Sequence, residues 1–275
     1  MIVEPAPAKL NLALHVRRRR PDGYHDIETL FAFCHDGDTV ALNPSESPRF
    51  HITGPFAADL SPTDDPWANN LVTRAADAFA AQFGAGPYDI ILDKHLPIAS
   101  GIGGGSADAA ATLRALSRRR GIPLDDPMLL AIAGQLGADV PACLAGVTAF
   151  ATGRGDALTA LEGWADTPVL LVNPRVALST ARVFAAWDGT DRGALDPAAP
   201  EKGRNDLEAP ARRLAPSIDD VLDALAIQPG ATLVRMSGSG ATCFALFDTI
   251  AERDAADMAI ASIAPDWWRL ATTLA

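Results

Sequence analysis

Residues 97–116 read PIASGIGGGSADAAATLRAL, a glycine cluster that runs straight into an alanine-rich stretch. No other segment constrains the chain as much. Alanine is the strongest helix former, so a helix begins where the glycines stop. Gly101, Gly103, Gly104 and Gly105 put four glycines into five positions, and Ser106 follows them. Glycine lets a backbone adopt positive φ and approach a ligand closely. A helix N-terminus adds unsatisfied N–H groups and the positive end of the helix dipole, where anions settle. Together these features make a phosphate cradle. A tight loop serving only helix–strand packing would need one glycine, not four. Other glycine signatures do not fit. No Lys follows the cluster as in G-x-x-x-x-G-K-[ST], and Ser106 stands where G-x-G-x-x-G needs its last glycine. Without H-R-D or D-F-G, the chain is no protein kinase.

Charge narrows what the cradle can serve. The formal net charge is −11 and the isoelectric point about 4.8. Such a field repels phosphate backbones, which argues against nucleic acid as a partner. A nucleotide site has to be built locally, from backbone N–H groups, a few cations and a metal. With 275 residues, 48% hydrophobic and 21% charged, the chain is globular and long enough for two lobes. Cys34, Cys143 and Cys243 are widely spaced and form no C-x-x-C, which points away from disulfides and zinc and towards the cytoplasm. Glu4, Pro5 and Pro7 interrupt the N-terminus where a signal peptide needs an apolar run, and no stretch is expected to span a bilayer.

The rest of the chain reads as alternating strands and helices. Residues 9–16 alternate strictly, with Lys9, Asn11, Ala13 and His15 on one face and Leu10, Leu12, Leu14 and Val16 on the core face of a strand. Arg17–Arg20 with Pro21-Asp22-Gly23 predicts a solvated, charged turn. Strands are expected over 27–33, 39–42, 88–92, 147–151, 168–172, 231–236, 242–247 and 268–273. Helices are expected over 69–83, from the end of the glycine cluster, and over 127–136, 180–187, 217–226 and 251–263. A short helix opens at Asp139-Val140-Pro141. Residues 54–66 read as loop, and 188–205, rich in Asp, Gly and Pro, as a mobile loop.

Four further segments join the glycine cluster in a known pattern. Pro7-Ala8-Lys9-Leu10-Asn11-Leu12, Pro97 through Ala107, and Ser237-Gly238-Ser239-Gly240-Ala241-Thr242-Cys243-Phe244 resemble, in order, the motifs of the GHMP kinases. Arg20-Pro21-Asp22-Gly23-Tyr24-His25 and Gly137-Ala138-Asp139-Val140-Pro141 resemble the branch of that family acting on a cytidine-diphosphate alcohol. Ser179-Thr180-Ala181 departs from it, standing where a proline-flanked Thr is expected.

The resemblance implies an α+β, two-lobed fold with the active site in the cleft between lobes, divided here as 1–153 and 154–275. It implies ATP as co-substrate with Mg²⁺, and a small-molecule substrate carrying a cytidine diphosphate group. ATP is expected on Pro97, Ile98, Ala99, Ser100, Gly101, Ile102, Gly103, Gly104, Gly105, Ser106 and Ala107. Ser106 is the candidate metal ligand, with a helix N-cap as its alternative role. Asp139 is implied as the base that takes the substrate's hydroxyl proton, although an Asp before Val-Pro is also a good N-cap. Lys9 is implied beside it, with a solvated strand lysine as the alternative. Asn11, Tyr24, His25, Phe184 and Gly238 are implied in substrate binding. Tyr24 and Phe184 stack on the base and His25 bonds its edge; for Phe184 a plain core position stands equally. The Ser237–Gly240 turn either closes on the glycine loop or the substrate phosphates, or is a simple hairpin. Asp108 is expected on the solvated surface. A homoserine- or mevalonate-type kinase of the same family, and a non-catalytic nucleotide-binding protein, are the rival readings.

Overall fold

The structure is a computed structural model that describes residues 1–60 and 70–275. The described residues form two compact units, and each is discontinuous in sequence. One comprises Met1–Ala8, Asp36–Ile98 and Gly103–Gly146; the other comprises Lys9–His35, Ala99–Ile102 and Val147–Ala275. Two long strands, β1 (Ile2–Arg19) and β2 (His25–Pro44), contribute residues to both. The compact units therefore differ from a single cut after residue 153.

In the first unit, the second half of β2 runs antiparallel to β4 (Tyr88–Asp93), pairing Thr39 with Asp93 and Pro44 with Tyr88. β3 (Arg49–Thr53) lies parallel to β4 on its other side. A parallel neighbour requires a crossover, and α1 (Leu71–Phe83) lies in that connection. Asn70 caps α1 by accepting from the Val72 N–H at 2.9 Å, and Gly84 ends it at φ 66°. Alternation in β4 buries Tyr88, Ile90 and Leu92. α2 (Gly104–Arg120), α3 (Pro127–Leu136) and α4 (Val140–Ala145) complete the unit. Asp126 caps α3 through two backbone N–H groups, with Pro127 at the first helical position.

The second unit holds two antiparallel arrangements. β5 (Ala149–Thr152) pairs with the first half of β2, and β6 (Ala157–Ala160) pairs with β5. A separate four-stranded sheet runs β10 (Trp268–Thr273), β7 (Pro168–Asn173), β9 (Cys243–Phe247), β8 (Ala231–Met236). α7 (Ser217–Ala226) and α8 (Ile250–Ile263) pack on that sheet, and α6 (Glu208–Leu214) packs against both α5 (Thr180–Ala185) and α7. Leu170, Val172, Val183, Leu207, Ile218, Val221, Phe247 and Ile260 form its core.

Several expectations change. Residues 27–33 and 39–42 belong to one continuous strand, while β3, β6 and α6 carry no signal that periodicity alone picks out. Both faces of residues 9–16 are buried, not one. Residues 188–205 pack against β1 and β2: Leu14 N–H, on β1, donates to the Arg204 carbonyl, and Leu195 N–H donates to Glu28 on β2. Residues 61–66 of the expected 54–66 loop, and residue 69, lie outside the described residues. Among the described residues no helix is long and apolar enough to cross a membrane.

Candidate active site

In the second unit, Lys9, Asn11 and His15 sit on the same face of β1, and each is at most 3% exposed. A buried ammonium needs compensation. Lys9 Nζ donates to Asn11 Oδ1 at 2.8 Å and lies 4.9 Å from the centre of the Phe31 ring. Asn11 Nδ2 donates to Thr29 Oγ1 at 2.7 Å, and that hydroxyl donates to the Ala13 carbonyl. Both ends of the Asn11 amide are thus fixed, and through it the ammonium. Lys9 is not a solvated strand lysine.

The Ser237–Gly240 turn between β8 and β9 closes on the first part of the glycine segment. Ser237 Oγ accepts from Asn11 N–H at 3.1 Å and donates to the Gly101 carbonyl at 3.0 Å. Thr242 N–H donates to the Ser100 carbonyl, and Lys9 N–H to the Ile102 carbonyl. Gly238 stands at φ 55°, where a Cβ would lie 2.7 Å from the Gly101 oxygen and 3.2 Å from Asn11 Oδ1. Only glycine fits there. Asn205, at the end of the 188–205 segment, secures the same turn by donating to the Met236 and Gly238 carbonyls at 2.7 and 2.8 Å.

A group of rings forms at the start of β2 in the same unit. Tyr24 is half-exposed and lies 5.1 Å from the Arg154 guanidinium, which Asp156 holds through two bonds. The His25 ring is 4.9 Å from Phe184 and meets Trp187 edge-on at 5.7 Å. Phe184 is partly buried and packs against the core of this unit. Burial, and then the Arg19 charge, hold His25 below the ordinary imidazole range, which keeps the ring neutral at physiological pH. Its buried Nε2 and the buried Trp187 Nε1 find no hydrogen-bond partner among the described residues. Buried polar atoms are rarely left so. Arg19 braces Trp187 by donating to its carbonyl at 2.6 Å, and Arg17 and Arg20 join ion pairs, so the arginine run is not uniformly solvated.

The remaining site residues belong to the first unit. Gly103, at φ 67°, caps α2, and Ser106 lies inside its first turn, not at the cap. Asp139 occupies the N-cap position of α4, yet its side chain makes no capping hydrogen bond. Asp108 overturns its expectation: it is 2% exposed. Its Oδ2 accepts from Lys94 Nζ at 2.8 Å, and the same ammonium donates to Asp38 Oδ2 at 2.5 Å. Lys94, Asp38, Trp187 and Arg154 escaped the sequence reading. An isolated Lys after a strand and an Asp in a His-Asp-Gly-Asp run look like surface until the fold buries them. Among the described residues, no group of three or more His, Cys, Asp or Glu forms a metal cage.

These arrangements agree with comparisons to known proteins. A family profile described as the GHMP kinases N-terminal domain matches residues 70–147, and one described as GHMP kinases C terminal matches 184–264. A curated relative from Rhizorhabdus wittichii, named 4-diphosphocytidyl-2-C-methyl-D-erythritol kinase, is 58% identical over 98% of this chain and 94% of its own. A crystal structure of 4-(cytidine 5'-diphospho)-2C-methyl-D-erythritol kinase superposes with a TM-score of 0.82 at 34% identity, over 99% of both chains. Homoserine kinase from Cytophaga hutchinsonii shares the fold, with a TM-score of 0.72 at 20% identity over 99% of this chain and 94% of that one. Two matched domain profiles, a full-length relative at high identity and the buried lysine and glycine turn together place this α+β chain in the GHMP kinase family.

Proposed function

We propose that the chain transfers the γ-phosphoryl group of ATP to the 2-hydroxyl of 4-diphosphocytidyl-2-C-methyl-D-erythritol, giving the 2-phosphate and ADP in the non-mevalonate route to isopentenyl diphosphate. The observation that carries the substrate assignment is the ring group: a neutral His25 whose buried Nε2 has no partner among the described residues, packed on Phe184 and next in sequence to the exposed Tyr24 ring. A cytosine offers faces to stack and an edge that a neutral imidazole can bond. Homoserine and mevalonate offer neither. The names of these relatives point to the same substrate.

In this reading the substrate hydroxyl gives its proton to the Asp139 carboxylate. Its oxygen forms the new bond to the γ-phosphorus while the bond from that phosphorus to the departing ADP oxygen breaks. Lys9, held by Asn11, stabilises the alkoxide as it develops. The segment Pro97–Ala107 holds the triphosphate through backbone N–H groups, and Gly238 lines the substrate side. Ser106 would be this chain's ligand to a Mg²⁺ ion, which when bound would supply neutralisation of phosphate charge. Cys34, Cys143 and Cys243 are buried and form no disulfide, which suits an enzyme of the reducing cytoplasm.

The test is ³¹P NMR of the protein with ATP, Mg²⁺ and the cytidyl alcohol, with mevalonate and homoserine in parallel. The expected result is a new phosphomonoester signal in the cytidyl sample alone, matched by ADP. Turnover of another alcohol instead would discard the substrate, and no turnover at all would discard the reaction.

A further inference from the structure

We propose that Lys94, clamped between Asp38 and Asp108, is a positioning residue for the nucleotide: it sets where the glycine segment enters α2. This rests on the reading that the triphosphate lies on that segment. Lys94, Asp38, Asp108 and the groups they bond belong to the first unit.

Lys94, Asp38 and Asp108 are each at most 2% exposed. Three ionisable groups taken out of water are costly, and such a cluster is weak evidence of stability for its own sake. Its connections suggest another purpose. Asp38, on β2, accepts with Oδ1 from the N–H groups of His95 and Leu96 at 2.5 and 2.8 Å. That carboxylate therefore sets the backbone between the end of β4 and Pro97. Its Oδ2 takes the Lys94 ammonium, which passes the connection on to Asp108 in α2. Gly104 and Asp108 are four residues apart and share one helix face. A Cβ at Gly104 would lie 3.0 Å from Lys94 Nζ and 3.7 Å from Asp38 Oδ2. The start of α2 thus rests directly on the ammonium. The strand end before the glycines and the helix after them are pinned to one buried cation.

The sequence from Pro97 to Ala107 has no Lys or Arg. The segment's hold on phosphate then depends on where its N–H groups point, and a misplacement of about 1 Å at a reacting centre costs on the order of a hundredfold in rate. A role through charge alone makes a different prediction. Two carboxylates flank one ammonium, so removing a carboxylate would strengthen anion binding, whereas a positional role means the same removal weakens it.

Steady-state kinetics on Lys94→Met, Asp108→Ala and Asp108→Asn at about pH 8 separates these. We expect the ATP KM to rise by about tenfold in the first two. In Asp108→Asn, which keeps the volume and offers Lys94 a weaker acceptor, a rise of about threefold is expected. The KM for the cytidyl alcohol should stay within about twofold throughout. An unchanged or lowered ATP KM in Asp108→Asn overturns the proposal, as does an equal rise in both KM values. Asp108→Asn alone decides if the other two variants fail to fold. Should the wild-type protein turn over no ATP, the nucleotide reading falls and the proposal with it; turnover by wild type with no effect in Asp108→Asn removes the proposal only.

Discussion

Asp139 shows how one residue can carry two readings that the structure separates. Aspartate in front of Val140-Pro141 is an inviting helix cap, and losing a cap costs about 1 kcal/mol. Here the residue occupies the N-cap position but its carboxylate makes no capping bond. Asp139→Asn therefore takes away no capping bond. If Asp139 takes the hydroxyl proton, kcat should fall by about 10²- to 10⁴-fold in the same variant. Turnover measured on the folded variant checks this; turnover left intact would remove Asp139 as the base. Lys9 is the complementary case. Strict alternation placed it correctly beside Asn11, but alternation alone says nothing about what covers that face. Its burial depends on residues far away in the chain, among them Phe31, and no local pattern encodes that.

At the scale of elements, the strongest local signals were legible. α3, α7, β8 and β10 fall on their expected residues; α3 has Asp126 as its cap and Gly137 as its stop. The break expected between residues 33 and 39 was misread for a physical reason. Cys34-His35-Asp36-Gly37-Asp38 has turn composition, but Gly37 serves close packing: a Cβ there would lie 2.2 Å from the Ala6 carbonyl oxygen, so glycine lets β1 lie against β2 without a turn. Asp38 follows it inside the strand, which is why an acidic residue of a seeming turn ends up under the start of α2. Burial pushes the Asp108 carboxyl up to about 7, with Lys94 opposing and Asp38 adding to the rise. Lys94 itself is held above its ordinary range by the two carboxylates despite its burial, so it stays charged. An Asp whose folded pKa lies above its usual 3.8 contributes stability in full below that value and loses it as pH rises through about 7. Between about pH 5 and 8, wild type should therefore lose stability relative to Asp108→Asn. Paired denaturant titrations across that range measure the difference; a constant gap, or one moving the other way, would show that Asp108 does not exchange its proton there.

At the scale of the whole molecule, the net charge of −11 opposes the chemistry the site performs. A nucleotide approaching the chain meets a repulsive field, and monovalent salt screens such fields over about 10 Å at 0.1 M. The attraction at the cradle has a different character. In the proposed reading, with no Lys or Arg from Pro97 to Ala107, it would come from backbone N–H groups and a helix dipole, which act at contact range, and Lys94 is largely neutralised by the carboxylates that hold it. Screening should weaken the long-range repulsion more than the short-range attraction. The expected result is that kcat/KM for ATP at fixed excess Mg²⁺ holds steady or rises as potassium chloride goes from about 10 to about 150 mM. A site that drew nucleotide in through exposed cations would lose affinity over the same range. A steep fall would mean that a positive surface, not the backbone of the glycine segment, captures the triphosphate.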